Sequence, residues 1–368
     1  MEHKALDKIA VQDAATPKSR KGSRYLVSVL GSLVLAALLF CALEFHIRSN
    51  GGIPSLDYSP ERWALVRGEL EADTDPNSVA LLGASRMQSN VSLATLSEAL
   101  GNVQVHQLAV SGAAPYSAYE DLALNSQFKG LVVLSIVPSI MMPGPAFEEQ
   151  APNVEYYNQH WNKARYIDTW LGNQVSSRMA LGDRYYSAIR LLRNMLKLGQ
   201  FAGPPDYVTT DINREMALRF ENVDVPALRK SRIDSMAHMM GTQSHYDPAE
   251  WRKFIAEDFG RLVSSIEDRG GRVVVVYMPV SEDVLAMETD ILPREIYWDS
   301  IAELTEADTI HFLDDPVMSG FDLPDASHLD YSDKVVFTQI LAEHLLRQDG
   351  PGFTDGVQVQ NVSFQGDN

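Results

Sequence analysis

Between Arg24 and Glu44 the chain runs from Tyr25 to Leu43 without a single charged residue. A helix over that stretch spans about 28 Å at roughly 1.5 Å per residue, close to the hydrocarbon thickness of a bilayer. Lys18, Arg20, Lys21 and Arg24 precede it, and the positive-inside rule keeps that end in the cytoplasm. Everything after Glu44 is therefore expected across the membrane. A cleaved signal sequence has an apolar run of about 7–15 residues followed by a small-x-small site. This run is longer, and Glu44, Phe45, His46 and Ile47 offer no such site. Phe40 is too bulky to precede a lipid-modified cysteine, so Cys41 reads as a small apolar residue of the helix. The expected organisation is a polar cytoplasmic tail over 1–24, an anchor over 25–45, a linker over 46–75 leading into a helix near Trp63 to Glu71, a folded domain over 76–348, and a polar tail over 349–368.

A content of 45% hydrophobic and 22% charged residues suffices for a buried core. The formal net charge of -18 argues against a nucleic-acid partner, which needs a concentrated basic surface. With Cys41 as its one cysteine, the chain can form neither an intrachain disulfide nor a cysteine metal cluster.

Within the domain, apolar strands alternate with helices. Ser78–Leu82, Val103–Val110, Leu131–Val137, Arg272–Met278 and Thr309–Leu313 read as strands. Helices are expected at Ser92–Leu100, Ala118–Asn125, Pro248–Asp268, Ser300–Leu304 and Lys334–Leu346. The pattern predicts an α/β fold with a parallel sheet covered on both faces. Residues 150–245 interrupt it with helical segments, Tyr185–Leu198 the strongest, and no convincing strand. This insertion reads either as a cap over the active site or as a peripheral packing subdomain.

Ligands of open α/β sheets sit beyond the carboxyl ends of the strands. That rule selects Gly83-Ala84-Ser85-Arg86, Ser111-Gly112-Ala113, Ser135 to Ser139, and the late segment Leu323-Pro324-Asp325-Ala326-Ser327-His328. A glycine turning sharply off a strand would present Ser85 at a helix start, where free N–H groups suit a developing oxyanion. Ser85 alone is equally well an N-cap. Asp325, three residues before His328, can orient the imidazole that takes a serine proton. A Gly-x-Ser after the first strand combined with an Asp-x-x-His before the last helix is a much rarer pairing than either alone. Arg86 reads as a substrate contact or as a loop salt bridge, and Asn90 as a cap for the next helix. His160, His238, His245 and His311 lack metal-ligand spacing, so no metal site is expected. No glycine-rich nucleotide signature is present, and no cofactor is called for.

These blocks resemble the SGNH/GDSL hydrolase superfamily, whose nucleophile follows the first strand and whose Asp-x-x-His closes the domain. LLGASRMQSNVS, QLAVSGAAPYSAYE and VVLSIVPS are similar to the membrane-anchored branch near the D-alanyl transfer protein of teichoic acid synthesis and the polysaccharide O-acetylation proteins. The resemblance covers about 76–142 and 270–346. It implies a flavodoxin-like three-layer domain, with Ser85, Asp325 and His328 catalytic and the N–H groups of Ser85 and Gly112 as the oxyanion hole. It also implies an acyl donor, a glycan acceptor, a membrane-bound O-acyltransferase partner, and a bacterial inner-membrane anchor with the catalytic domain periplasmic or extracellular. The third block departs from the pattern: Ser135-Ile136-Val137-Pro138-Ser139 carries no asparagine, leaving Ser135, Ser139 or a backbone N–H to stand in. The expected function is an O-acyl transferase or esterase acting on envelope or exported polysaccharide. The alternative is a catalytically weak scaffold for the acyltransferase.

Overall fold

The computed structural model describes residues 20–141, 147–183, 207–242 and 247–347, with a few isolated positions between 186 and 199. The expected tail after residue 348, His245 and most of Tyr185–Leu198 lie outside the described residues, as does the whole segment before Arg20.

The core is a five-stranded parallel sheet in the order β2-β1-β3-β6-β7, with β1 Val79–Leu82, β2 Val105–Gln107, β3 Leu131–Ser135, β6 Arg272–Tyr277 and β7 Asp308–His311. All five expected strands exist, four of them trimmed at their ends and β7 starting one residue earlier and ending two earlier than expected. The three central ones are continuous apolar runs because both faces are covered: VALL and LVVLS are buried throughout, and only Arg272 of RVVVVY reaches the rim. The order changes direction between β1 and β3. The loops leaving the carboxyl ends of these neighbours therefore diverge and open a crevice.

An apolar helix, α1 (Arg20–Ser49), precedes the domain. From Tyr25 onward it is long and apolar enough to cross a membrane, and its leucines and valines from Leu26 to Leu39 are exposed. Its last turn docks: Glu44 accepts hydrogen bonds from the Ala180 and Leu181 N–H groups at 2.8 and 2.9 Å. Ile47 there packs with Ala180 and Tyr186.

Two expectations need correction. The helix expected near Trp63 to Glu71 is present, but the stretch 46–75 does not merely link the anchor to the domain. Its helix α2 (Pro60–Ala72), capped by Ser59, buries Trp63, Val66 and Leu70 in the main core. Arg67 there is 1% exposed and pairs with Asp121 at 2.7 Å. The insertion also contains strands. The pair β4 (Val208–Thr210) and β5 (Met216–Leu218) forms an antiparallel hairpin, and each strand is too short to show a period in sequence. Helices Ala151–His160, Lys163–Ser176 and Val225–Thr242 account for much of the rest. The expected helix Pro248–Asp268 is present but interrupted by a π segment, Ile255–Phe259.

Candidate active site

β1 ends at Leu82, and Gly83 turns the chain with φ +150°. A Cβ there would stand 3.0 Å from Met87 Cβ, Ser135 Cβ and the Ser135 carbonyl, so only glycine fits without displacing β3. Two residues on, α3 (Ser85–Asn90) begins. Ser85 is its first helical residue rather than its N-cap, which is Ala84 with no side-chain cap. The Ser85 hydroxyl is thus free for other work, and its N–H belongs to a first turn that lacks intrahelical partners.

The late loop meets it there. His328 Nε2 lies 2.8 Å from Ser85 Oγ, and His328 Nδ1 lies 2.8 Å from Asp325 Oδ2. Asp325 Oδ1 accepts the N–H groups of Ser327 and His328 at 3.0 and 2.8 Å. The carboxylate therefore shapes its own loop while holding the imidazole. Burial works to raise the Asp325 carboxyl, but the hydrogen bond and charge of His328 and the two backbone N–H groups outweigh it and hold it down to about 2. For His328 burial is the largest influence and lowers the imidazole below its ordinary 6.5; Asp325 opposes this, and the cations Arg232 and Arg86 add to the lowering. Near neutral pH the imidazole is uncharged beside an ionised aspartate. Nδ1 then donates to Asp325 and Nε2 is left to accept from Ser85.

Gly112 sits at φ +75° in the turn Val110–Ala113. That loop is tied to the serine loop twice. Val110 N–H donates to the Gly83 carbonyl at 3.1 Å. The buried Gln150 amide donates to the carbonyls of both Gly83 and Ala113, each at 3.2 Å. Arg86, Ser135 and Ser139 line a cavity of about 120 Å³ together with Ser85. Arg86 donates to Ser327 Oγ at 3.1 Å and approaches Glu288 at 3.9 Å, so it braces the histidine loop. Among the described residues no asparagine lines this cavity.

Several contributors were not legible in sequence. Arg232 reaches Asp325 Oδ2 at 3.3 Å from the insertion, and Met236, Met239 and Met240 of the same helix line the serine cavity. The insertion therefore forms one wall of the site. Asn90 does not cap the next helix; Ser92 does, accepting from Thr95 N–H. Asn90 instead accepts the Leu329 N–H at 3.2 Å and anchors the residue after His328. Nothing in the sequence linked Gln150 or Arg232 to the two ends of the domain. His311 packs among Tyr277, Trp298 and Phe312, away from the triad. The His160 ring lies tilted against Tyr156, with ring centres 5.6 Å apart.

No family model matches the sequence, and no curated protein matches it. The functional reading therefore rests on the site itself.

Proposed function

We propose that this protein is a membrane-anchored serine acyl-transfer enzyme of SGNH/GDSL type, acting outside the inner membrane as an O-acyl transferase or esterase on envelope or exported polysaccharide. The observation that carries the reading is the continuous hydrogen-bonded line Ser85–His328–Asp325 at the carboxyl end of a parallel sheet. The strand order agrees with a flavodoxin-like three-layer domain.

In this reading His328 Nε2 takes the Ser85 proton as Oγ attacks an acyl carbonyl, and Asp325 stabilises the imidazolium that forms. The N–H groups of Ser85 and Gly112 receive the oxyanion. Collapse of the tetrahedral intermediate expels the donor's leaving group, which takes the proton from His328, and leaves an acyl-Ser85 ester. A glycan hydroxyl, or water, then attacks that ester with His328 again as base, and Ser85 recovers its proton. One oxyanion donor is typically worth about 10²–10³ in rate. The place of the missing asparagine therefore matters, and Ser135 and Ser139, which line the serine cavity, are the side-chain hydroxyls proposed to stand in for it. The anchor α1, with its basic flank inside, would hold the domain beside glycan emerging from the membrane, where a membrane-bound O-acyltransferase would supply the acyl group.

The test uses full-length protein in detergent with an acetylated glycan and a separate unacetylated acceptor. Release of acetate identifies an esterase and movement of acetate to the acceptor a transferase. Both must vanish in Ser85→Ala. Persistence of glycan acylation in cells carrying Ser85→Ala would refute the assigned role and favour the scaffold alternative, which draws on the absent third-block asparagine.

A further inference from the structure

A second cavity, of about 270 Å³, lies between α2, α3 and the β4–β5 hairpin and is lined by Tyr58, Arg62, Gln88, Ser111, Asp211 and Arg214 among others. Arg214 is 4% exposed and occupies a left-handed conformation with φ +67°. Both of its ends are fixed. Gln88 donates to its carbonyl at 3.3 Å, and one guanidinium nitrogen donates to the Ala109 carbonyl at 2.7 Å. The buried Nε, however, has no hydrogen-bond partner. Among the described residues no carboxylate pairs with Arg214; its aromatic neighbour is Tyr58, at 5.9 Å from the ring centre. Burial pulls this guanidinium down to about 10, Tyr58 opposes that, and the second cation Arg62 adds to it.

A buried cation without an anion is costly, and in a chain of net charge -18 carboxylates to neutralise it are plentiful. That none does so, beside an open cavity holding a second arginine, points to an anion supplied from outside. Asp57 also lines the cavity, and Asp211 holds the hairpin turn by accepting the Asn213 and Glu215 N–H groups at 2.9 and 2.8 Å. Arg62 is already offset by Asp57 and donates to Asn173 Oδ1 at 2.9 Å, so the one unneutralised guanidinium, Arg214, suits a singly charged ligand better than a phosphate dianion. The planar fork of arginine matches a carboxylate.

We infer that this cavity binds the carboxylate of a ligand, and that the carrier is a uronate unit of the glycan acceptor. The carboxylate site stands on the unneutralised arginine, while naming the carrier rests on the acyl-transfer reading. Ser111 lines the cavity next to Gly112, so a chain held by its carboxylate here would run toward the proposed oxyanion loop.

Ligand-observed NMR titrations of the full-length protein in detergent, with glucuronate, glucose and inorganic phosphate as probes, test the inference. Glucuronate is expected to bind, glucose at least tenfold more weakly, and phosphate no better than glucuronate. Arg214→Gln and Arg62→Gln should each weaken glucuronate at least tenfold while Ser85→Ala leaves it unchanged. Binding and serine chemistry thus fail separately. Thermal melting accompanies each variant, and if Arg214→Gln unfolds, Arg62→Gln decides. Equal binding of glucose and glucuronate, preferential binding of phosphate, or unchanged glucuronate affinity in a folded arginine variant would overturn it.

Discussion

Asparagine at position 325 removes one charge and almost no volume, and the structure says what should follow. Asp325 is fully buried, and its carboxyl is held down to about 2 from an ordinary 3.8. At about 1.4 kcal/mol per pH unit, that corresponds to roughly 2 kcal/mol of stabilisation. Because the folded value is the depressed one, this contribution is complete above pH 3.8 and disappears as pH falls through about 2. An asparagine oxygen can still accept the Ser327 and His328 N–H groups that Asp325 Oδ1 now holds. The loop should therefore keep its shape, and the loss at neutral pH should stay near 2 kcal/mol. The chemical cost is larger. An asparagine amide facing His328 Nδ1 donates instead of accepting, which moves the imidazole proton to Nε2, where it opposes Ser85. Wrong-tautomer substitutions of this kind cost about 10⁴ in rate, or roughly 5–6 kcal/mol. Hydrolysis of p-nitrophenyl acetate by wild type and Asp325→Asn, read beside urea denaturation, measures both. A variant within tenfold of wild type in rate would refute the assigned role of Asp325, whatever its stability.

The remaining predictions concern pH, the core and the serine turn. His328 must be neutral to accept the Ser85 proton, and burial holds its pKa below 6.5, so the acid limb of kcat/KM should have its midpoint below 6.5; a midpoint at or above that value contradicts the buried, neutral base. Over the same range the unfolded chain takes up the proton first, so this histidine's contribution to stability should erode as pH falls from 6.5 toward the folded midpoint. Asp121→Ala leaves the Arg67 guanidinium buried without its closest partner and should cost about 3–5 kcal/mol in urea denaturation; a loss under about 1 kcal/mol would mean that Glu71 and water compensate. Gly83→Ala forces a Cβ to 3.0 Å from β3 at a positive φ. It should destabilise by about 1–3 kcal/mol and slow ester hydrolysis more than this loss of folded protein explains, and wild-type turnover would show that the turn tolerates displacement.

Periodicity revealed the sheet because β1, β3 and β6 are apolar on both faces and their apolar runs are cut off by Gly83, Pro138 and Pro279. The triad was legible for a related reason, since strand ends and the last helix punctuate the sequence where its members sit. What escaped were contacts between distant segments with no local signature. Gln150 joins the carbonyls of Gly83 and Ala113, Arg232 reaches Asp325, and the β4–β5 hairpin delivers Arg214 beside Gln88. Their residue types are common, and their roles follow from packing alone. The expected helix near Trp63 to Glu71 exists, but its burial in the main core went unread for a similar reason. Trp63, Val66 and Leu70 do recur along one helical stripe, but the Gly-, Pro- and Asp-rich residues around it look like a spacer.

The chemistry is tested most directly by covalent labelling of the full-length protein with a fluorophosphonate, followed by mass spectrometry of the modified peptide. The geometry of Ser85 and His328 at 2.8 Å predicts one adduct, on Ser85, which disappears in Ser85→Ala and forms at least a hundredfold more slowly in folded His328→Ala. No adduct on Ser85 in protein that melts cooperatively, or unchanged labelling after His328→Ala, would contradict the account.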